Sequence, residues 1–164
     1  MGFVNLSLSH LPPEVQDAMV LAKEVAPKSY NRYSGYQVGA VALGRDGRMF
    51  ASAFLENASY GLTVCAEPGA LMAANSAGCH DVASLVVVGG APASPIGPPC
   101  TPCGRCRQVI WEYAQRSAGD MAIYCSDLAL TNLLLVTATE LLPYTWGASQ
   151  WVSPLVPSAG IEAS

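Results

Sequence analysis

The chain has 164 residues, 51% hydrophobic and only 12% charged, with a formal net charge of −4 and an isoelectric point near 5.0. That length suits one compact domain that buries a core without disulfides. Eight Lys and Arg in all, with no basic run, exclude a protein that wraps nucleic acid by replacing counterions, and they favour a small-molecule substrate.

Taken in chain order, Pro12-Pro13-Glu14 opens a first helix that runs to about Val25 and is stopped by Pro27. A loop, KSYNRYSG, leads to a strand over 36–43, a turn built on Asp46-Gly47, and a return strand over 49–55. A loop with Glu56, Asn57 and Tyr60 precedes a helix over 65–76, ended by Gly78. The continuously apolar run LVVVG, 85–89, predicts a central strand covered on both faces. GGAPASPIGPPCTPC is too rich in Pro and Gly for helix or central strand. A helix over 104–115, strands over 121–125 and 133–136, and a short helical turn over 139–142 ended by Pro143 complete the pattern. Strands alternating with helices predict an α/β domain, a sheet of about five strands with helices on its faces. Residues 1–150 are expected to form that single domain and 151–164 a loosely ordered tail.

The start, MGFVNLSLSHLPPE, lacks a charged n-region and a long apolar core, and no apolar stretch reaches bilayer length. A cytoplasmic protein with no membrane partner is therefore expected, in which six cysteines point to metal or thiol chemistry before disulfides. The high apolar content with few charges predicts that other subunits cover part of the surface.

Two segments carry the chemistry. Thr63-Val64-Cys65-Ala66-Glu67 heads one helix, and Pro102-Cys103-Gly104-Arg105-Cys106 heads another. Cys-x-x-Cys at a helix start turns two sulfurs to one side, and a third from another helix start gives three ligands. Zinc takes four, so three protein ligands leave one position for water, the mark of a catalytic site. Helix N-termini stabilise thiolates through free N–H groups and the positive end of the dipole. Three thiolates on Zn2+ leave −1, and Arg107 is the cation expected to help. Glu67, two residues after Cys65, can point at the bound water without ligating the metal. The order Cys-x-Glu then Pro-Cys-x-x-Cys is that of zinc deaminases, in which the Glu carries protons.

Here the resemblance becomes specific. YSGYQVGAVAL, ENASYGLTVCAE, TPCGRCRQV and ELLPYTWG together resemble the motifs of the small homotetrameric cytidine deaminases and the related blasticidin S deaminases, over about residues 33–147. The resemblance implies a cytidine deaminase-like three-layer domain, a mixed sheet of about five strands with helices on both faces. It implies Zn2+ held by Cys65, Cys103 and Cys106, with Glu67 as the proton carrier in hydrolytic deamination of cytidine, deoxycytidine or a modified cytosine nucleoside. It implies that Tyr36 lines the base pocket, Glu56 binds the ribose, Ala66 offers backbone contacts to the base, Trp146 packs on the substrate and Arg107 belongs to the motif behind the thiolates. A tetramer with sites completed by neighbouring subunits follows from the same resemblance.

The sequence departs from the family at three places. Pro68 stands where most relatives have an Arg that tempers the thiolate charge; a first-turn proline leaves the helix intact. Phe54 stands where an Asn meets the sugar, which predicts weaker binding of plain ribose. Tyr36 and Trp146 stand where the family has Phe, keeping an apolar face and adding a polar tip. A closed structural zinc remains the competing expectation, with Cys100 as its fourth ligand, as does a deaminase of another amino-heterocycle or a zinc-bound relative without turnover. Cys79 and Cys125 are expected as buried small hydrophobes, and His10 and His80 lie outside the motifs.

Overall fold

The computed structural model describes residues 6–147, so the expected tail over 151–164 lies outside the described residues. Four helices and five strands alternate along this span: α1 (Pro13–Val25), β1 (Gln37–Gly44), β2 (Met49–Ala53), α2 (Ala66–Ser76), β3 (Val82–Gly90), α3 (Gly104–Ala114), β4 (Ala122–Ser126), β5 (Leu133–Thr137) and α4 (Ala138–Leu141). The sheet order is β2-β1-β3-β4-β5; β3 and β4 run parallel, and the other neighbours antiparallel.

Alternation along the strands feeds two cores. Val41, Val86 and Val88 face α1, where Val15, Met19 and Ala22 close one layer. Ala40, Leu85, Val87 and Ile123 face the other way, against Leu71 of α2 and Ile110 of α3. This is the three-layer mixed architecture the sequence implied, with β3 apolar on both faces as its unbroken Val run predicts. Gly39 marks the closest approach of α1 to the sheet: a Cβ there would fall 2.0 Å from the Ala22 carbonyl oxygen. Gly47, at φ +83, turns the β1–β2 hairpin.

Two element ends differ from the sequence expectation by more than one residue. β2 stops at Ala53, because Leu55 leaves the sheet and exchanges two 2.9 Å backbone bonds with Val64. β3 starts at Val82 rather than 85, since Ser84 and Leu85 already pair with Ala122 and Ile123 although Ala83 and Ser84 lack an apolar signal.

The topology puts the variable segments at one edge. Gln37 at the start of β1 pairs with Gly90 at the end of β3, Gly39 pairs with Ala53 at the end of β2, and Ser126 at the end of β4 pairs with Val88. The loops before β1, after β2, after β3 and after β4 therefore share the edge that receives the N-termini of α2 and α3.

Candidate active site

Each cysteine expected as a ligand lies at a helix start. Cys65 is the N-cap of α2, clamped from behind by the Leu55–Val64 bridge. Cys103 is the N-cap of α3, and Cys106 lies in the first turn of that helix. Their sulfurs all fall within 4.8 Å of one another, and Cys103 Sγ is 3.5 Å from Cys106 Sγ. Sulfurs around a tetrahedral zinc with bonds of about 2.3 Å are separated by roughly 3.8 Å. The thiols thus stand at the spacing zinc needs with little rearrangement. Among the described residues this is the one group of three or more metal-capable side chains, and Cys100 is outside it. The closed four-sulfur site is not what the chain builds; three donors leave one position for a non-protein ligand.

The charges within the cluster are unequal. The hydrogen bond from Cys106 is the largest influence on Cys65 and, against burial and the nearby Glu67, brings its thiol down to about 7; Cys103 and the Arg105 guanidinium pull the same way. Cys106 is pushed up, first by that same bond to Cys65 and then by burial. The two thiols titrate as a pair, and the first proton leaves it more readily than the second.

Glu67 belongs to the first turn of α2 and is only 4% exposed. Burial raises its affinity for a proton, opposed by its own backbone N–H and the Cys106 thiol. A buried carboxyl whose proton affinity is raised, beside a metal-ready cluster, is suited to accept and return protons.

Of the other expected site residues, Tyr36, Phe54, Glu56 and Ala66 belong to segments that meet at this edge of the sheet. Ala66 is fully buried at the first position of α2. Tyr36 directly precedes β1 and is 38% exposed, and burial, then the nearby Cys100, pushes its phenol up to about 12. Phe54 is partly buried against the core beneath α2, so its ring offers packing and no hydrogen bond. Glu56 is buried, and its carboxylate accepts the backbone N–H groups of Tyr33 (2.8 Å) and Ser34 (3.2 Å). Burial alone would raise this carboxyl, but those bonds outweigh it and hold it below its ordinary value. Glu56 thereby orders the 31–36 loop that carries Tyr36. Trp146 is 55% exposed, and its carbonyl accepts from Gln108 Nε2 at 2.9 Å, tying the segment after α4 to α3.

The two arginines divide differently from expectation. Arg107 spends its guanidinium on two carbonyls, Pro102 O at 2.9 Å and Leu141 O at 3.3 Å, bracing the turn into α3. Arg105, between the two motif cysteines, reaches Gly61 O at 3.2 Å and lends its field to Cys65. Sequence proximity did not separate them. The signal was helix position, because a residue at the second place of α3 lies on the side of Cys103 that faces the 60–62 turn.

The comparisons with known proteins agree with this geometry. Residues 12–118 match the family model for the cytidine and deoxycytidylate deaminase zinc-binding region. The chain belongs to the cytidine and deoxycytidylate deaminase family. A cytidine deaminase of Halalkalibacterium halodurans is 40% identical over 130 residues, 77% of this chain and 92% of the relative. The crystal structure of the cytidine deaminase of Burkholderia pseudomallei superposes with a TM-score of 0.70 at 33% identity, covering 79% of this chain and 97% of that one. That of Mycobacterium tuberculosis gives 0.66 at 31% identity, over 84% and 100%. The deaminase fold and the zinc-competent thiol cluster thus coincide within one matched span.

Proposed function

We propose that this chain is a zinc-dependent hydrolase that removes the exocyclic amine of a cytosine nucleoside, cytidine or deoxycytidine or a modified form, releasing ammonia and leaving the uracil compound. The observation that carries this reading is the open three-sulfur cluster of Cys65, Cys103 and Cys106 with the buried Glu67 beside it.

When bound, zinc on the three sulfurs supplies Lewis-acid activation of water. Glu67 takes a proton from the attacking water and delivers it to N3 of the ring as the oxygen bonds to C4. Glu67 then moves the second proton to the amine; the C4–N bond breaks, ammonia leaves, and C4 becomes a carbonyl. The starts of α2 and α3 and the Arg105 guanidinium hold the negative charge of the sulfurs. Tyr36 and Trp146 supply aromatic faces for the base, and the backbone around Ala66 supplies its polar contacts.

The sugar side lacks one polar anchor: Phe54 brings none, and Glu56 shares its lone pairs between two backbone N–H groups and any sugar hydroxyl. This supports a substrate recognised mainly through its base, and it keeps a second reading in view: a deaminase of another amino-heterocycle whose sugar-side group is altered or absent.

We further propose a single catalytic domain over 1–150, acting in the cytoplasm as a homo-oligomer, with a tetramer favoured. Six free cysteines suit a reducing compartment. The exposed Tyr30, Tyr33, Leu55, Tyr60 and Leu62 border the site as an apolar rim that a second copy would cover. No helix of the described residues is long and apolar enough to cross a membrane.

An ammonia-release panel over cytidine, 2′-deoxycytidine, free cytosine and base- or sugar-modified analogues tests the reading. Zinc-loaded protein is expected to turn over cytosine nucleosides, with little penalty for loss of the 2′-hydroxyl. Zinc-loaded protein that releases no ammonia from any member overturns it, and a strong preference for plain cytidine overturns the base-dominated recognition.

A further inference from the structure

Cys103 stands at the end of a stiff segment. From Gly97 to it the chain reads Pro98-Pro99-Cys100-Thr101-Pro102. Each proline fixes its own φ, and each residue before a proline is restricted as well. Between 97 and 102 only Cys100 escapes both restrictions, and its backbone N–H is held by Ser126 O at 3.2 Å. The tip is held too, by Arg107 Nε on the Pro102 carbonyl at 2.9 Å. At the root, side chains of the β4–β5 turn grip both backbone groups of Gly97. Its N–H donates to Asp127 Oδ2 at 3.3 Å, and its carbonyl accepts from Asn132 Nδ2 at 2.9 Å. Asn132 Nδ2 also donates to Asp127 Oδ2 at 3.0 Å, so amide and carboxylate form one clamp on one glycine. The same turn carries Leu130 at φ +61, the one non-glycine residue with left-handed backbone among the described residues. Such a backbone persists only where its surroundings over-determine it; here Leu130 N donates to Asp127 O at 3.2 Å and Thr131 N to Asp127 Oδ1 at 2.8 Å.

We propose that Asn132 and Asp127 are positioning residues for the metal centre: by clamping Gly97 they anchor the proline-stiffened segment that sets Cys103 beside Cys106 and Cys65. The inference rests on the zinc reading of the thiol cluster and goes beyond it by naming what holds one of the three donors from outside its own helix. Cys106 is fixed by the first turn of α3, but Cys103 is an N-cap with extended backbone and no capping bond from its side chain. Its direction is therefore set by the chain that arrives from residue 97. With the clamp closed, the three sulfurs gather within 4.8 Å of one another, and their ordering is paid on folding and not on metal binding. With the clamp open, Cys103 regains freedom that the ion must then remove.

The test is chelator competition for zinc on the folded full chain, with cobalt(II) absorption as a second readout and urea unfolding of the metal-free form as a control. Asn132→Ala is expected to weaken zinc binding by about tenfold, as loss of a group supporting a metal ligand implies, and to broaden the cobalt bands. Asn132→Asp keeps the size but no donor, and is expected to do at least the same harm. Asp127→Asn is expected to act in the same direction, and its combination with Asn132→Ala to fall short of the product of the two losses, because both act through Gly97. Tyr113→Phe removes a bond to the Cys79 carbonyl, away from this segment. It is expected to destabilise the metal-free fold and to leave zinc affinity within about twofold. Zinc affinity and cobalt bands unchanged in both Asn132 variants overturn the proposal. An equal loss of affinity in Tyr113→Phe overturns it as well, since affinity would then only follow stability. Should Asp127→Asn fail to fold, the two Asn132 variants decide. A wild-type chain that binds no zinc overturns the zinc reading itself, whereas tight binding with indifferent variants overturns this inference alone.

Discussion

Cys65 and Cys103 hold the same station on two different helices: each is an N-cap residue with extended backbone, φ −67, ψ 156 for one and φ −68, ψ 168 for the other. Neither side chain makes a capping hydrogen bond to its own helix. Each sulfur is therefore free for a metal while the positive end of its helix lies behind it. Favourable charge at such an end contributes about 0.3–1 kcal/mol, more when partly buried. Two helix ends converging on one point offset part of the cost of gathering three sulfurs.

Glu67→Gln should keep its zinc and lose turnover by about 10²–10⁴-fold, the usual contribution of a positioned acid–base group. Ammonia release alongside metal analysis checks this. Turnover within a few-fold of wild type would remove Glu67 from the proton pathway.

Zinc uptake should weaken on acidification. Zinc binds thiolates, so protons compete for every sulfur. The Cys65 thiol, brought down to about 7 first by its bond from Cys106, is ionised above that pH and protonated below it. Affinity should fall across the whole range because Cys106 must also lose its proton, and the fall should steepen by about one decade per pH unit below 7. Chelator competition between pH 8 and 5.5 reads the slope; a constant slope through neutrality contradicts the assignment.

The two arginines should separate by assay. Arg105→Gln should weaken zinc retention by roughly tenfold, the lower end of losses typical for groups behind a metal site, and barely change the unfolding of metal-free protein. Arg107→Ala should lower the unfolding free energy of metal-free protein by about 1.5–3 kcal/mol, because two carbonyls lose a charged donor. Chelator competition and urea titration on both variants check the pair, and the opposite pattern would reverse the assignment.

Asp127 should underwrite the loop over 95–100. Its fully buried carboxylate accepts from Thr131 N (2.8 Å), Asn132 Nδ2 (3.0 Å) and Gly97 N (3.3 Å). Burial pulls its proton affinity up, but these bonds prevail and hold it below the ordinary value. A depressed folded value means stability present above the unfolded value of about 3.9 and lost as pH falls through the folded one. Asp127→Asn should cost about 1–3 kcal/mol at pH 7, and the gap from wild type should close as pH falls below the unfolded value. A gap independent of pH would deny the carboxylate this role.

Much of the molecule was legible in the sequence because its signals are local. Pro12-Pro13-Glu14 marked the start of α1, Asp46-Gly47 the hairpin, and the Val run of β3 its central place. The spacing of Cys65, Cys103 and Cys106 announced the metal cluster before any fold was drawn. What the sequence hid was direction. Arg105 and Arg107 lie two places apart on one helix and so face different neighbours, a difference that appears only once the 60–62 turn and the end of α4 are packed. Glu56 read as a sugar ligand; what the sequence hid is that its carboxylate also accepts the backbone N–H groups of Tyr33 and Ser34 across more than twenty residues of sequence. Long-range partners leave no periodicity to read.

The single parallel step in the sheet, from β3 to β4, obliges the chain to cross over through α3. The crossover brings Cys103 and Cys106 to the end of the sheet where α2 has already delivered Cys65. Two of the three donors are local to one helix start, and the third comes only where crossover and α2 meet. Full coordination is thereby tied to the assembled architecture, so metal binding adds to the stability of the fold itself.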